Sequence, residues 1–500
     1  MRFCIVIAIL LVVSGCRSPQ AAYRVQVCTA SIIAPASTAV ETLGDEATSP
    51  QSIEDLVQLG LSNNPMITEA KHRITSLSHR IPQELSLPDP MAKTTTYLAP
   101  VETAAGRQAF AVGVSQKFVD ADRRATKAAI ANDEVRSAEA GLKKVEREIA
   151  EQIRVACYQL LLVRETIRIT NEDVESLAQI EEVVLRQYEV KKSVSQQDVL
   201  NVQVEQSKIE NQLTQLQQRE RSHQARLARL LHFAPGSNFT LTDSLTTNSI
   251  PVNLDELIGQ AQQARPELES QLAKIRRDRR KICLANLQNR PDVTVGLSWI
   301  ATSTDGISPV ANGDDALLLG IGINLPIYKD RIRAAAREAK AASLASTAKL
   351  EVIQDEIAEE VFDTVAKLES TATTLTLLQE DIIPKSERTL ELAIEEYSTN
   401  ETDFTQLIDN WRGVLKYRVA LANLQAQQLQ LLASLARQVG QLELLVLNVG
   451  QPAQRDYESK IEISEEEDRL RAMNKSQQKK AHANPTENNR FSLRSMQSNV

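Results

Sequence analysis

Cysteine is scarce in this 500-residue chain, which contains only five. They stand at positions 4, 16, 28, 157 and 283, and no two have the two-residue spacing of zinc or redox motifs. Neither a disulfide framework nor a cysteine zinc site is predicted, so the fold must be held by packing. Beyond the first residues there is also no run of about 18 apolar residues, and no membrane-spanning helix is predicted.

Basic residues are not in excess either. Asp and Glu total 65 against 57 Lys and Arg, which gives a net charge of -8. A protein that binds nucleic acid should carry a basic face, so no nucleic-acid partner is predicted. The one basic run, residues 276–281 (RRDRRK), has no interleaved aromatic residues and is interpreted as a solvated helix face.

The residue patterns that carry catalysis are missing as well. The sequence has no nucleophile and base pair, no phosphate loop and no cluster with metal-ligand spacing. Gly320-Ile321-Gly322 is too short for a dinucleotide fingerprint. His72 and His79 would lie about 10 Å apart on one helix face, too far to share a metal without other ligands. We therefore predict that the chain is not an enzyme and has no catalytic residue, no cofactor and no metal site.

The first 16 residues carry an export signal. Arg2 precedes an apolar run over residues 3–13, which has the length of a signal-peptide core. Residues 13–16 read VSGC and resemble the lipobox of bacterial lipoproteins, in which the cysteine thiol receives a diacylglyceryl group. An ordinary secretory cleavage site is the alternative, because small residues precede those sites too. We predict a signal peptide over residues 1–15 and a linker over residues 16–51 that is lipid-anchored through Cys16.

Two long stretches are predicted to be helical. Residues 125–234 contain no proline and one glycine, and residues 331–439 are interrupted only by Pro384 and Gly413. Apolar residues recur every three or four positions and form one narrow seam in each stretch. The seams include Ile149, Ile153, Leu160, Val163, Ile167, Val174 and Leu177 in the first, and Ile353, Ile357, Val361, Val365 and Leu368 in the second. A helix of about 60 residues is roughly 90 Å long and cannot bury such a seam in a compact domain, so these helices must pair along their length.

Segments of period two precede each helical stretch and are predicted to be strands. Large residues alternate with small or polar ones, apart from Leu318. The large residues, which are the candidates for a membrane-facing surface, are Phe110, Val112 and Val114; Val293, Val295, Leu297 and Trp299; and Leu317, Leu319, Ile321 and Ile323. The turn-rich residues 99–108 and 302–315 are expected to form exposed hairpin loops between the strands.

The two halves of the chain are in register, which indicates an internal duplication. Phe118 and Tyr188 are 70 residues apart, and so are Ile327 and Tyr397 at the corresponding places. We predict a first repeat over residues 52–246 and a second over residues 252–450. The final segment, 451–500, is polar without apolar periodicity and is predicted to be a disordered tail.

Four strands per chain are too few to close a membrane barrel. An open strand edge in hydrocarbon leaves backbone groups unpaired at a cost of several kcal/mol each, so several chains must share one barrel. Three copies give twelve strands, an even number that leaves an aqueous lumen. The predicted fold is mainly α with a small β part: two tandem repeats of strand pair and long coiled-coil-like helices, which form a helical barrel below a shared trimeric β-barrel.

Over residues 52–445 the sequence resembles the TolC-type outer-membrane efflux proteins, particularly their lipidated members. The resemblance rests on the passages from strand to helix, VGVSQKFVDADRRATKAAIA and IGINLPIYKDRIRAAAREAKAA, and on the helix-turn-helix passages RQYEVKKSVSQQDVLNVQVEQ and EEYSTNETDFTQLIDNWRGVL. SLPDPMAKT also looks like an element of members tied to heavy-metal export pumps, although Pro88 and Pro90 have a sufficient role in ending a helix.

The resemblance implies a function, partners and a location. It implies a passive channel of a tripartite efflux or secretion system: a homotrimer in contact with outer-membrane lipids, anchored in the outer membrane, extending into the periplasm and opened by an adaptor protein and an inner-membrane pump. A lipid-anchored periplasmic coiled-coil scaffold without channel activity is the alternative. It would explain the helices but not the duplicated strands.

The resemblance also implies the residues of a periplasmic tip. In the family pattern a tyrosine is followed three residues on by glycine and then by an Asp-Val-Leu-like stretch, where the channel closes and meets its adaptor. Tyr188 and Tyr397 match the tyrosines, whereas Lys191 and Asn400 replace the glycines. Asp198 and Asp409 are the candidates for acids that line the aperture, and carboxylates that cap helix starts are the alternative interpretation.

We expect Cys16→Ser to abolish lipidation, because only the thiol can accept the diacylglyceryl group. Labelling with radioactive palmitate should disappear, and the precursor should stay uncleaved or leave the outer-membrane fraction. Normal labelling of this variant would rule out the anchor.

Overall fold

The computed structural model of the protein describes residues 51–440 except 192–194, 247–252, 305–308, 310–311 and 400. Its helices are α1 (Ile53–Asn63), α2 (Pro65–Ser78), α3 (Arg80–Leu85), α4 (Ala121–Lys191), α5 (Gln196–Leu231), α6 (Leu254–Ala264), α7 (Pro266–Leu287), α8 (Lys329–Leu377), α9 (Ile383–Thr399) and α10 (Phe404–Val439). Its strands are β1 (Met91–Thr103), β2 (Gly106–Phe118), β3 (Val293–Ser303) and β4 (Ala316–Ile323). The predicted signal peptide, the C-terminal tail and all of the linker but Gln51 lie outside the described residues.

The element order is the same in both halves of the chain. Short helices lead into two strands, and the second strand leads into a long helical hairpin. The described residues are mainly helical, with one four-stranded antiparallel sheet, and this confirms the predicted fold class. The short helices begin at sequence signals: Ser52 caps α1 in a capping box with Asp55, and Asn64 caps α2, which has Pro65 at its first position.

The longest helix, α4, has 71 residues and is therefore roughly 100 Å long at 1.5 Å per residue. It packs against α5, α7 and α10. Its buried seam differs in part from the predicted one. Val174 is 37% exposed, whereas Thr170 and Asp173 are buried in the same stripe as Leu177. A prediction from apolar spacing misses seam positions that hold polar residues.

The helix of the second repeat is interrupted where its counterpart α4 is continuous. A π-helical turn, Leu378–Ile382, separates α8 from α9, and Pro384 is the second residue of α9. The proline has no N–H for the usual bond to the carbonyl four residues earlier, and its ring crowds that carbonyl. We attribute the irregular turn to this proline.

The sheet has the strand order β1-β2-β3-β4, so β1 and β4 form its outer edges. Its first hairpin corrects the predicted loop over residues 99–108: β1 continues to Thr103 and β2 begins at Gly106, so only residues 104–105 make the turn. Gly106 has a φ of 135°, and an added Cβ would lie 1.9 Å from the carbonyl oxygen of Ser303. This turn depends on that glycine, and the other turn-like residues extend as strand.

Ion pairs join the two repeats beneath the sheet. The basic run over residues 276–281 is not simply solvated as predicted, because Arg280 pairs at 2.8 Å with Asp133 of α4, which is fully buried. Further along the helices, Arg265 and Arg437 both bind Glu360 of α8, and Arg437 also pairs at 2.6 Å with Glu151 of α4. This second network connects α4, α8 and α10 to the residue that precedes α7.

We expect Glu360→Ala to lower the free energy of unfolding by about 2 kcal/mol, because it leaves the buried guanidinium of Arg265 without its nearest carboxylate. Denaturant unfolding in detergent, followed by helical circular dichroism, measures this. Glu356→Ala is the matched control, since its pair with Lys349 is exposed on both sides and should contribute less than about 0.5 kcal/mol. Equal losses for the two variants would contradict the role of the network.

Candidate functional site

The ends of the two long hairpins pack together as four helices. One apolar cluster fills the space between α4, α5, α9 and α10 near their turns. Its buried members are Leu177, Ile180, Val184, Val202, Ile209, Leu390, Ala393, Tyr397, Phe404, Leu407, Ile408, Trp411 and Val414. The hairpins are also joined by a hydrogen bond from the Gln187 side-chain amide to the carbonyl of Ser398. We call this end of the molecule the tip.

The two tip tyrosines occupy different environments. Tyr188 is 42% exposed, whereas Tyr397 is buried within the cluster and makes an edge contact with Phe404 at 6.4 Å between ring centres. Burial and the negative charge of Asp198 raise the pKa of Tyr397 to about 12. Its hydroxyl finds no hydrogen-bond partner in the described part of the chain. The structure therefore brings Asp198 and Tyr397 of opposite repeats near each other and leaves Tyr188 at the surface.

Asp198 and Asp409 are not equivalent. Asp198 is the third residue of α5 and accepts a hydrogen bond from the backbone N–H of Ser195 at 3.3 Å, which completes a capping box. Asp409 does not cap a helix start, contrary to the alternative interpretation, because α10 begins five residues earlier and Asp403 is its cap. The Asp409 side chain is 61% exposed and pairs instead with Arg412 at 3.0 Å.

Arg412 connects the two hairpins. Besides Asp409 it binds Glu205 of α5 at 2.6 Å, and Lys208 binds the same carboxylate at 2.6 Å. Burial alone would raise the pKa of Glu205, but the hydrogen bonds from Arg412 and Lys208 outweigh it and the pKa is lowered. Glu205 is thus charged at neutral pH and holds α10 to α5 through a cation from the other repeat.

A second buried acid lies on α4 beside the tip cluster, 18 residues or about five helical turns before the end of that helix. Asp173 is 3% exposed and lies beside Trp411, with Arg418 as the nearby cation. Burial dominates over both neighbours and raises the pKa of Asp173 to about 7. Its Oδ2 atom and the indole nitrogen of Trp411 have no hydrogen bond of normal length within the described residues.

The remaining predicted tip and anchor residues are only partly visible. Lys191 is the last residue of α4. Asn400 and Cys16 lie outside the described residues.

The strand register places all eleven candidates for the membrane-facing surface on one face of the sheet. Residues directly opposite in antiparallel strands share a face, and Val112 pairs with Trp299, which pairs with Leu317, while Val114 pairs with Leu297. The side chains on β4 are the most exposed: Leu317 65%, Leu319 69%, Ile321 66% and Ile323 54%. The opposite face carries mostly small or polar residues, such as the pair of Gly113 and Ser298, and Leu318 beside them is the exception.

Two absences hold for the residues that the structure describes. No group of three or more His, Cys, Asp or Glu side chains is arranged to hold a metal ion. No described helix is long and apolar enough to cross a membrane.

The fold is that of TolC-type outer-membrane channels. The outer-membrane channel OprN has a TM-score of 0.62 with 18% identity over 79% of this chain and 93% of its own. The protein CusC, described in connection with transmembrane channel formation, has a TM-score of 0.64 with 17% identity over 78% and 92%. The outer-membrane protein VceC from Vibrio cholerae has a TM-score of 0.62 with 16% identity over 78% and 96%. No protein-family model and no curated protein matches the sequence.

The similarity of fold confirms the resemblance seen in the sequence. At the tip, sequence reasoning missed Glu205, Asp173 and Arg412. A signal was present for the first, since Glu205 stands in the apolar seam between Val202 and Ile209. No such signal marks Arg412, because its partner belongs to another helix.

We expect Asp173→Asn to change the pH dependence of stability. The folded pKa of about 7 lies above the unfolded value of 3.8, so the folded state holds the proton more tightly. Stability from this group is therefore complete below the unfolded value and is lost as the pH rises through about 7.

The asparagine variant should consequently gain thermal stability relative to the wild type at pH 8 but not at pH 4, as measured by melting in detergent at both values. Asp363→Asn, at an exposed site on α8, is the matched control and should show no such divergence. If the melting temperatures of the wild type and of Asp173→Asn differ by the same amount at both pH values, the raised pKa is contradicted.

Proposed function

We propose that this protein is a passive outer-membrane conduit without chemistry of its own, built from three copies that share one β-barrel. The observation that carries the proposal is the sheet, which has its eleven large apolar candidates on one face. Six of them are exposed and the other five are partly exposed. Water is an unfavourable environment for such a surface, at about 25 cal/mol per Å² of apolar area. Lipid hydrocarbon would suit the apolar face of the sheet, and an aqueous lumen would suit the opposite face with its small and polar residues.

The sheet edges support the number of copies. Within the described residues β1 and β4 each have a neighbour on one side only. In hydrocarbon the backbone groups along these edges must be paired, and β4 of one copy can pair with β1 of the next. Three copies close a ring of twelve antiparallel strands around an open lumen. The helices of the three copies would then surround the same axis below the barrel.

The location and partners follow from the same arrangement. The sheet would lie in the outer membrane and the helices would extend into the periplasm, with Cys16 as the lipid anchor. An adaptor protein would meet the tip and couple it to an inner-membrane pump, which would supply the energy. The fold similarity to proteins described as outer-membrane channels supports this function. The contacts between the two hairpins at the tip are our candidates for a closure that a partner would open.

Single-channel recording in planar bilayers, together with the oligomeric state in detergent, tests the conduit. We expect a stable trimer and discrete conductance steps. A monomer that inserts no channels would overturn the proposal and favour the lipid-anchored periplasmic scaffold.

We expect Arg412→Ala to raise the conductance or the open probability, because it removes the cation that holds Glu205 of the first hairpin to the second. Asp409→Ala should have a smaller effect in the same direction, since the exposed pair with Arg412 only orients the guanidinium. The measurement is single-channel current at fixed salt and voltage.

Arg388→Ala is the matched control on α9. Its pair with Glu391 is exposed and lies within one helix, so the current should stay at the wild-type value. Asp198→Ala separates the two interpretations of that residue, because a cap affects stability alone whereas an aperture acid also changes current. Wild-type currents for Arg412→Ala would contradict the proposed closure by this ion pair.

A further inference from the structure

One arginine makes several contacts between the two repeats at the base of the sheet. Arg123, in the first turn of α4, donates to the carboxylate of Asp292 at 2.8 Å, just before β3. Its other terminal nitrogen donates to the carbonyls of Leu287 at 3.1 Å and Arg290 at 2.6 Å, and Lys117 pairs with Asp292 at 3.0 Å. Both charged groups are mostly buried, with Arg123 14% and Asp292 7% exposed. We call this set of contacts the inner seam.

The same residues recur at the two outer edges of the sheet. Pro88-Asp89 lies before β1 with Pro90 between them, and Pro291-Asp292 lies directly before β3. Asp330-Arg331 are the second and third residues of α8 as Asp122-Arg123 are of α4, one position earlier than the register of Phe118 with Ile327 gives. The four dipeptides thus correspond by their places at the starts of strands and helices.

Local contacts support this correspondence. The side chain of Gln116, near the end of β2, donates to the carbonyl of Pro88 at 2.8 Å. Asn324, just after β4, accepts a hydrogen bond from the backbone N–H of Asp292. In both repeats an amide side chain at the end of the second strand thus fixes the Pro-Asp entry of the first.

At the outer edges the two charges have no partner. Asp89 and Arg331 are exposed, and neither takes part in an ion pair or a side-chain hydrogen bond with any described residue. They cannot meet within one chain, because β1 and β4 are the two opposite edges of the sheet, with β2 and β3 between them. A second copy of this chain can supply the missing partner, since its β1 would lie beside β4.

We propose that Arg331 of one copy binds Asp89 of the next and forms an outer seam equivalent to the inner one. This rests on the proposed shared barrel, and it adds the contact that sets the height of β1 against β4. A neighbour displaced by two residues along the strand, about 7 Å, would keep the same face of the sheet but would separate these charges. The ion pair therefore selects one register among those that the apolar face allows.

The outer seam lacks one element of the inner seam. Arg290 pairs with Asp120 at 3.1 Å and with Asp122 at 2.5 Å, whereas Leu87 takes its place before Pro88. Asp330, the counterpart of Asp122, is 98% exposed with only a 3.5 Å pair to Arg333. Leu87→Arg should supply the missing cation and raise the temperature at which the trimer dissociates.

Cross-linking of the full-length protein tests the pair. In a Cys28→Ser, Cys283→Ser background, Asp89→Cys with Arg331→Cys and a short bismaleimide should give covalent dimers and trimers on denaturing gels. Arg123→Cys with Asp292→Cys is the matched control, which should cross-link within one chain and give no larger species.

A charge exchange gives an independent measurement. Asp89→Arg and Arg331→Asp should each lower the temperature of trimer dissociation, and the double exchange should restore it toward the wild-type value. If the wild type is a trimer but the cysteine pair gives no cross-links between copies and the charge exchanges leave the dissociation temperature unchanged, the outer seam is overturned and the shared barrel still stands. A wild-type protein that forms no trimer overturns the proposed function itself.

Discussion

The burial of one narrow stripe along very long helices is the constraint on which the rest of the structure depends. A helix of 71 residues with a single seam has no globular interior to enter, so its stability must come from partners that follow it along its length. The buried residues accordingly form three separate clusters, spaced along the hairpins, instead of one core. Each cluster joins helices of at least two hairpin arms, and the helices between clusters are held by the same continuous seam.

Polar groups in these seams determine how neighbouring helices are aligned along their axes. An apolar stripe alone permits neighbouring helices to slide by one heptad, since every heptad is similar. Asp173 beside Trp411 and Glu205 beside Arg412 each require one partner at one height. Burial of these acids is costly, and a hydrophobic replacement would pack as well. Their placement is best explained by register, because both lie where the first hairpin meets the second.

Features that depend on spacing within one segment could be predicted from the sequence, whereas contacts between helices could not. The hairpins, the alternating strands and the duplicated order all rest on spacing within one segment, and spacing is visible in a single sequence. The predicted seam of α4 was wrong at Val174, because a prediction from apolar residues does not include the buried Asp173 one residue away. Strand β1 carries Thr and Lys where β3 and β4 carry Val and Leu, so its extent was not apparent.

The tip shows a further limit of the same kind. Tyr188 and Tyr397 are equivalent in sequence, yet one is exposed and the other buried, because a repeat is packed by its neighbours and the two repeats have different neighbours. The same holds for Asp198 and Asp409, whose roles are set by where each helix begins. Arg412 could not have been assigned to Glu205, since that pairing depends on the stagger between hairpins.

Because the chain is duplicated, the contacts between its two repeats also indicate how one copy could contact the next. Each repeat presents a strand edge on both sides, and one of its two boundaries is satisfied inside the chain by the pairing of β2 with β3. The residues on that inner boundary form a template of known geometry for the outer boundary, because both sides descend from the same element order. The proposed outer seam uses this template at Asp89 and Arg331. At Leu87 it would lack the cation that Arg290 supplies to Asp120 and Asp122 within one chain. A junction between copies that has fewer ion pairs than the in-chain junction would favour chains that fold singly and associate afterwards.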